Sequence, residues 1–376
     1  MENKTLVPIS TKLLEELFEG FSVDAELVAR KIGTKRHIVE AWLKGEKHPT
    51  YQQAEKLAYS VFKIPLAILF LDMLPDTFNP KTKFRSLPDL LFSDVSYKTR
   101  LAINKASTFI SALKDIYVKN EGLPKLNSLF QNSTQINSDI AKKLREEFKL
   151  DELLKKTKPR ADAFYLSVRR MLEEYGVFTF HAQLEGVRAF CINDSEFPII
   201  IINSADAPTA KLFSLFHELA HIIIKSDDVF FEEFEKYQSK EEVFCNAVAA
   251  EVLLPAKRVI EFFTHNETDD DTIVSYASSM CVSREVVYRK LLNLGKITQS
   301  RYLSFRASQS VISSTVDNEK KVVIDYYTVR LSRLGRRYVS RVLELLNSGY
   351  LAEKTASGYL DIKSSQLIKL ETELYA

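Results

Sequence analysis

The run His217-Glu218-Leu219-Ala220-His221 constrains this chain more than any other five residues. Histidines four positions apart share one face of a helix, so both imidazoles can close on a single ion. Glu218, one position after the first histidine, projects beside such an ion, where a general base for an ion-bound water belongs. Leu212, Phe213, Leu215 and Phe216 lead in, and Ile222, Ile223 and Ile224 follow, so the helix is expected in a dry, rigid interior. The blander alternative is two partnered histidines on a core helix.

A catalytic zinc takes three protein ligands and keeps one position open, and His/His/Glu is one such set. The stretch from Glu241 to Leu254 reads as a helix starting near Ser239 and stopping before Pro255. Glu242, Asn246, Ala249 and Leu253 fall on one face. Cys245 and Ala249 are small, so this helix can approach the histidine helix closely enough for Glu242 to reach the ion. Asn246, one turn on, is placed to hold a ligand by a hydrogen bond. Glu241, Glu232, Glu233 and Asp228 are the other candidates for third ligand, and a Cys245 thiolate competes with them.

Phe213-Ser214-Leu215-Phe216 before H-E-L-A-H, then E-x-x-C-N-x-x-A-A-x-x-L-L-P, resembles the ImmA/IrrE family of zinc metallopeptidases. Gly176-Val177, Gly186 and Pro198-Ile199-Ile200-Ile201-Ile202-Asn203 extend the likeness over about residues 165–296. Val248 departs from it, standing where the family usually carries phenylalanine. The resemblance implies a thermolysin-like arrangement, with His217, His221 and Glu242 as Zn2+ ligands and Glu218 as the base. It also implies a substrate, since well-known members cleave helix-turn-helix repressors.

A formal net charge of +2 over 376 residues announces no polyanion partner, so any nucleic-acid surface must be local. Cys191, Cys245 and Cys281 make an odd count with no C-x-x-C pair, which argues for free thiols in a reducing compartment. The start, Met1-Glu2-Asn3-Lys4-Thr5, lacks the basic and apolar regions of a signal peptide. Ile64 to Leu71 contains Pro65, is too short to span a bilayer, and reads as a core helix. The expected setting is cytoplasmic, with no membrane partner.

The length suggests two or three domains. In residues 1–80, Ser22 is expected to cap a helix that Gly33 ends, Thr34 to cap a second that Gly45 ends, and Pro49-Thr50 to start another. Two short helices joined by a tight turn are a helix-turn-helix signal. Trp42-Leu43-Lys44-Gly45-Glu46 with Pro49-Thr50 is similar to the Xre/Cro type, often fused ahead of this peptidase type. In that fold the start of the second helix meets the major groove; here it carries Lys35, Arg36 and His37, possible DNA contacts, with Lys31, Lys44 and Lys47 nearby. Against this, Lys12 to Lys56 holds eight basic and eight acidic residues and so no net positive field. Asp24 would repel phosphate, and Leu43 replaces a common acidic residue. A module for protein contact is the alternative.

Residues 81–160 read as a helical connector, with a basic cluster at Lys81-Thr82-Lys83-Phe84-Arg85, a polar loop Asn127 to Asn137, and helices over 96–119 and 137–156. Residues 161–296 are the expected peptidase domain. It has a helix Asp162 to Tyr175, strands near Val177 to Phe180, Val187 to Ile192 and Pro198 to Ile202, then the histidine helix. A small sheet before that helix gives an α+β, mostly helical, zincin-like fold. Met280 to Leu291, with Ser283 as a cap, superficially resembles a second helix-turn-helix and reads as packing. Residues 297–376 form a helical tail. Arg330, Arg333, Arg336, Arg337 and Arg341 fall near Tyr338 on one helix, suited to phosphates or an acidic partner unless they are a solvated face. Tyr350 to Leu370 resembles another small helix-turn-helix.

These features predict a zinc-dependent endopeptidase acting on a regulatory protein such as a helix-turn-helix repressor. The alternatives are a DNA-binding regulator with a structural or latent metal site, and an antitoxin-type partner of a nuclease-like toxin encoded nearby. No oxyanion-stabilising group is evident; His181, His265 and neighbouring tyrosines are candidates.

Overall fold

The structure, a computed structural model, describes residues 5–78, 95–117, 126, 139–224, 240–313 and 325–376. The cluster Lys81-Thr82-Lys83-Phe84-Arg85, the loop Asn127 to Asn137, and Asp228, Glu232 and Glu233 lie outside them. The described residues form two compact units: those up to Leu113 with Gln183–Val187, and the remainder. The architecture is α+β and mostly helical, with one small sheet.

In the first unit α1 (Thr11–Phe21), α2 (Ala25–Ile32), α3 (Arg36–Leu43) and α4 (Tyr51–Lys56) surround a core that includes Leu13, Leu17, Phe21, Val28, Val39 and Trp42. Asp24, not Ser22, caps α2, its carboxylate accepting from the Leu27 N–H at 2.7 Å. Ser22 is left-handed (φ 50) at the end of α1, where its own N–H and that of Val23 close the last turn onto Glu19 and Phe18 carbonyls. Gly33 (φ 75) ends α2 as its sequence suggests, but Lys35 rather than Thr34 precedes α3, with no side-chain cap. Thr50 and Gln53 form a reciprocal capping box on α4. Leu66–Phe70 is a 3₁₀ turn after Pro65, not a full core helix; Ile68 and Leu69 are buried while Phe70 is exposed. From α5 (Tyr97–Ile116), buried Arg100 donates to the Glu19 and Gly20 carbonyls at 3.0 and 3.1 Å, satisfying the end of α1.

The second unit opens with α6 (Asp139–Glu147) and α7 (Leu150–Lys156). Lys149 in the left-handed region (φ 46) breaks what the amphipathic pattern suggested as one helix. α8 (Ala161–Glu174) then leads into β1 (Phe178–Ala182), β2 (Ala189–Ile192) and β3 (Ile199–Asn203), in the order β1-β3-β2. β1 and β3 are parallel, β2 and β3 antiparallel, with Cys191 opposite Ile200 and Ala189 opposite Ile202. These four side chains join the main core, in which α9 (Pro208–Ile223) and α10 (Lys240–Leu253) also take part. Pro208 at the first turn suits a helix start, where no N–H is needed. From Leu212 on α9 is buried almost all round, as its apolar flanks require. Phe178 and Phe180 face the other way, against Tyr117 and Tyr338 with ring centroids 5.4 and 5.2 Å apart.

Helices α11 (Ala256–His265), α12 (Asp270–Ser279), α13 (Arg284–Asn293) and α14 (Gln299–Ser313) complete this core. Ser283 caps α13, and Ile273, Tyr276, Val287, Tyr288 and Leu291 are all committed to packing. The tail is α15 (Tyr326–Leu334), α16 (Arg336–Asn347), α17 (Glu353–Leu360) and α18 (Leu367–Tyr375). The arginine run therefore spans two helices, split at Gly335 (φ 90). Arg169 and Glu173 of α8 form a buried pair, each side chain 4% exposed, and Arg169 also donates to the carbonyls of Ser332, Arg333 and Thr179. This bundle ties the tail to β1 and the core. Among the described residues no helix is long and apolar enough to cross a membrane.

Gly335 sits where a Cβ would come within 2.7 Å of Glu173 Oε1 and 2.8 Å of Arg169 Nη2, both locked in the buried pair. Gly335→Ala is expected to lower unfolding free energy by about 2–4 kcal/mol, combining positive-φ strain with a disturbed ion pair. Calorimetry checks it; an unchanged unfolding temperature would contradict the tail's role as part of the core.

Candidate metal centre

Three ligand-type side chains converge between α9 and α10. His217 and His221 are 0% exposed, and Glu242, from the first turn of α10, is nearly buried. The two Nε2 atoms stand 3.1 Å apart, and the Glu242 oxygens lie 3.3 Å from His217 Nε2 and 3.2 Å from His221 Nε2. Donor atoms about 2.0–2.1 Å from a central ion in a tetrahedron are about 3.3 Å from one another. Glu242 turns a different carboxylate oxygen to each imidazole, Oε2 to His217 and Oε1 to His221, and one ligand atom from each of the three residues can be chosen within 4.8 Å of the others, close enough to hold one metal ion.

Local packing explains the convergence. Cys245 and Ala249 are fully buried on α10, so that helix lies close against α9. Asn246, one turn beyond Glu242, places Oδ1 3.1 Å from His217 Nδ1. With Nδ1–H donating to that amide, the Nε2 lone pair of His217 is left facing Glu242 and His221, as a ligand requires. Burial lowers the pKa of His221 below its ordinary value, with Glu242 opposing, so the imidazole is neutral. Burial would raise the Glu242 carboxyl, but the adjoining His217 and His221 outweigh it and hold it at about 2. Neutral imidazoles and an ionised carboxylate are the forms that bind cations.

Among the described residues, His217, His221 and Glu242 are the group whose ligand atoms lie together; Glu241 and Cys245 are not in it. Burial and the nearby Glu242 and Glu218 charges push the Cys245 thiol far up, against thiolate formation. Glu218 is 0% exposed on the same helix, one residue beyond His217. His181 instead pairs with Tyr165, Nε2 to Oη 2.5 Å, and burial followed by the Arg169 charge keeps it neutral. His265 ends α11. Neither joins the cluster. Lys35, Arg36 and His37 sit together, exposed, at the start of α3, where Arg36 Nε meets Glu40 Oε1 at 2.7 Å.

Three of the five tail arginines have acceptors within the tail. Arg330 donates to the Leu360 carbonyl at 3.1 Å and pairs with Asp361, Arg336 donates to the Leu374 carbonyl at 2.6 Å, and Arg341 reaches Glu344. Arg330 and Arg336 thus satisfy helix C-termini rather than forming a phosphate surface or a solvated face. Sequence spacing could not show this, because the carbonyls belong to helices about thirty or more residues downstream. It also missed that Ala189 and Cys191, alternating along β2, put their side chains into the core that α9 shares.

Residues 172–292 match the family model Peptidase_M78, described as the IrrE N-terminal-like domain. A similar curated protein is the "Radiation response metalloprotease IrrE" of Deinococcus radiodurans, 34% identical over 74 residues, which are 18% of this chain and 23% of that protein. The chain thus matches about a quarter of that relative's length. Together these findings support the ImmA/IrrE resemblance and a metallopeptidase-type domain, and the triad lies within the matched residues.

Zinc titration against a competing chelator tests the cluster. His217→Ala and His221→Ala are expected to abolish tight binding, and Asn246→Ala to weaken it about 10–100-fold by freeing the His217 ring. Wild-type affinity in both histidine variants would remove the site.

Proposed function

We propose that this chain is a zinc-dependent endopeptidase that cleaves a regulatory protein, such as a helix-turn-helix repressor, in the cytoplasm. The observation that carries the reading is the triad of His217, His221 and Glu242, with Glu218 next to it on α9. A zinc ion held by the three donors would bring the pKa of its water to roughly 7 and polarise a peptide carbonyl. Asn246 keeps His217 in its ligand tautomer. Glu218 takes the proton of the attacking water at its carboxylate and delivers it to the leaving amine. The apolar core that α9 and α10 share strengthens the charges that develop there. The matched metalloprotease supports the reaction class, and the repressor target follows from the family resemblance.

A second reading is favoured by the exposed trio Lys35, Arg36 and His37 at the start of α3. In it the first unit binds DNA and the chain works as a regulator whose metal site is structural. The adjacent Glu40, paired with Arg36, weakens this, since it offsets the charge offered to phosphate.

Glu218→Gln separates the two, because the amide keeps the shape and removes the proton acceptor. The variant is expected to retain zinc and fold and to slow cleavage of a co-expressed partner by roughly two to four orders of magnitude. Wild-type behaviour of a zinc-loaded Glu218→Gln protein would overturn the peptidase reading and favour the binding role.

A further inference from the structure

The first turn of α5 is fastened to the helical core of the first unit. The Tyr97 hydroxyl donates to the Val61 carbonyl, and Lys31, in the last turn of α2, sits over the Tyr97 ring at 5.1 Å. Arg100 holds the end of α1. The same turn also grips a loop residue. Thr99, 0% exposed, engages both main-chain groups of Glu185: its hydroxyl donates to the carbonyl and accepts from the N–H, each at 3.0 Å. Ser96 Oγ donates to that hydroxyl at 3.2 Å, so its one hydrogen and both lone pairs are used. The hydroxyl thus does for Glu185 what a neighbouring strand would do. The Lys98–Glu185 ion pair, 2.6 Å long but half exposed on both sides, adds little. Glu185 lies in Gln183–Val187, which belong to the first unit, yet the chain enters them from β1 and leaves them for β2.

We infer that the first unit regulates the metal centre, and that Tyr97 and Thr99 are its output: Tyr97 follows the packing of α2, and Thr99 sets the loop from which β2 starts. Ala189 and Cys191 of β2 lie in the core that α9 shares, and α9 carries His217, Glu218 and His221. With Glu185 clasped, β2 keeps the register that this core requires. With the clasp open, the packing against α9 loosens and the ligands lose their fixed spacing. Displacement of Lys31 from the Tyr97 ring is the input, and one rigid helical turn carries it to Thr99. Such coupling is reciprocal, so zinc must tighten the clasp by as much as the clasp tightens zinc binding. Neither Tyr97 nor Thr99 touches ion or substrate in this role.

The test uses the full chain and reads hydrogen exchange at the Glu185 amide, with and without zinc, beside zinc affinity from chelator competition. Zinc loading of the wild type is expected to slow the Glu185 amide about fivefold or more. Thr99→Val keeps the side-chain shape and removes the hydroxyl. The amide should then exchange roughly tenfold faster in both states, and zinc affinity should fall about three- to tenfold. Thr99→Ser returns the hydroxyl and should restore both readouts. Lys31→Ala, which leaves the loop untouched, should speed the Glu185 amide about two- to fivefold. The amides of Leu17 in α1 and Ile200 in β3 should keep their wild-type rates throughout, showing that both units stay folded. A Glu185 amide indifferent to zinc or to Lys31→Ala, or wild-type zinc affinity in Thr99→Val, would overturn the proposal. No cleavage is measured, so the outcome is independent of the peptidase reading, which Glu218→Gln decides.

Discussion

Two imidazole nitrogens 3.1 Å apart, each 3.2–3.3 Å from an oxygen of one carboxylate in a dry interior, are the interaction around which the second unit is organised. Nitrogen and oxygen atoms that all offer lone pairs repel unless a proton or a cation lies among them. Burial lowers the basicity of His221 and so disfavours the proton solution. The packing that brings these atoms together is ordinary: an all-round apolar helix, a second helix with Cys245 and Ala249 at the contact, and a small sheet behind. Its consequence is chemical, because α9 places Glu218 beside the same triad with no loop between them.

The other buried polar groups of this unit are matched rather than concentrated. Arg169 and Glu173 neutralise each other, and Arg169 also satisfies carbonyls of β1 and of the α15 end. Arg330 and Arg336 do the same for the ends of α17 and α18. Removing one partner from such a group leaves an uncompensated charge, and Gly335 is packed directly against the Arg169–Glu173 pair. A cation at the metal centre would complete the same pattern of matched buried charge, by an ion instead of a side chain.

Much of this was legible in the sequence because it rests on local periodicity. The i,i+4 histidines, the helix stop before Pro255, the run of isoleucines in β3 and the turn at Gly33 all depend on neighbours within a few residues. The small residues of α10 also pointed to Glu242 and Asn246 as the side chains facing His217. What was not legible depends on distant or competing partners. Ser22 has the chemistry of an N-cap, yet it is engaged in closing α1, so Asp24 takes the position. The arginines of the tail look like a charged stripe until their acceptor carbonyls, far along the chain, are in place. Cys191 is one small residue in a strand, and the pairing of β2 with β3 sets it opposite Ile200 in the core that α9 shares.

The central claim is that His217, His221 and Glu242 close on one ion without help from sulfur. X-ray absorption at the zinc edge of the zinc-loaded full-length protein reads this directly. The expected spectrum has a first shell of nitrogen and oxygen at about 2.0–2.1 Å, with the outer-shell scattering of two imidazoles and no sulfur. A sulfur contribution at about 2.3 Å, or the absence of imidazole scattering, would contradict it.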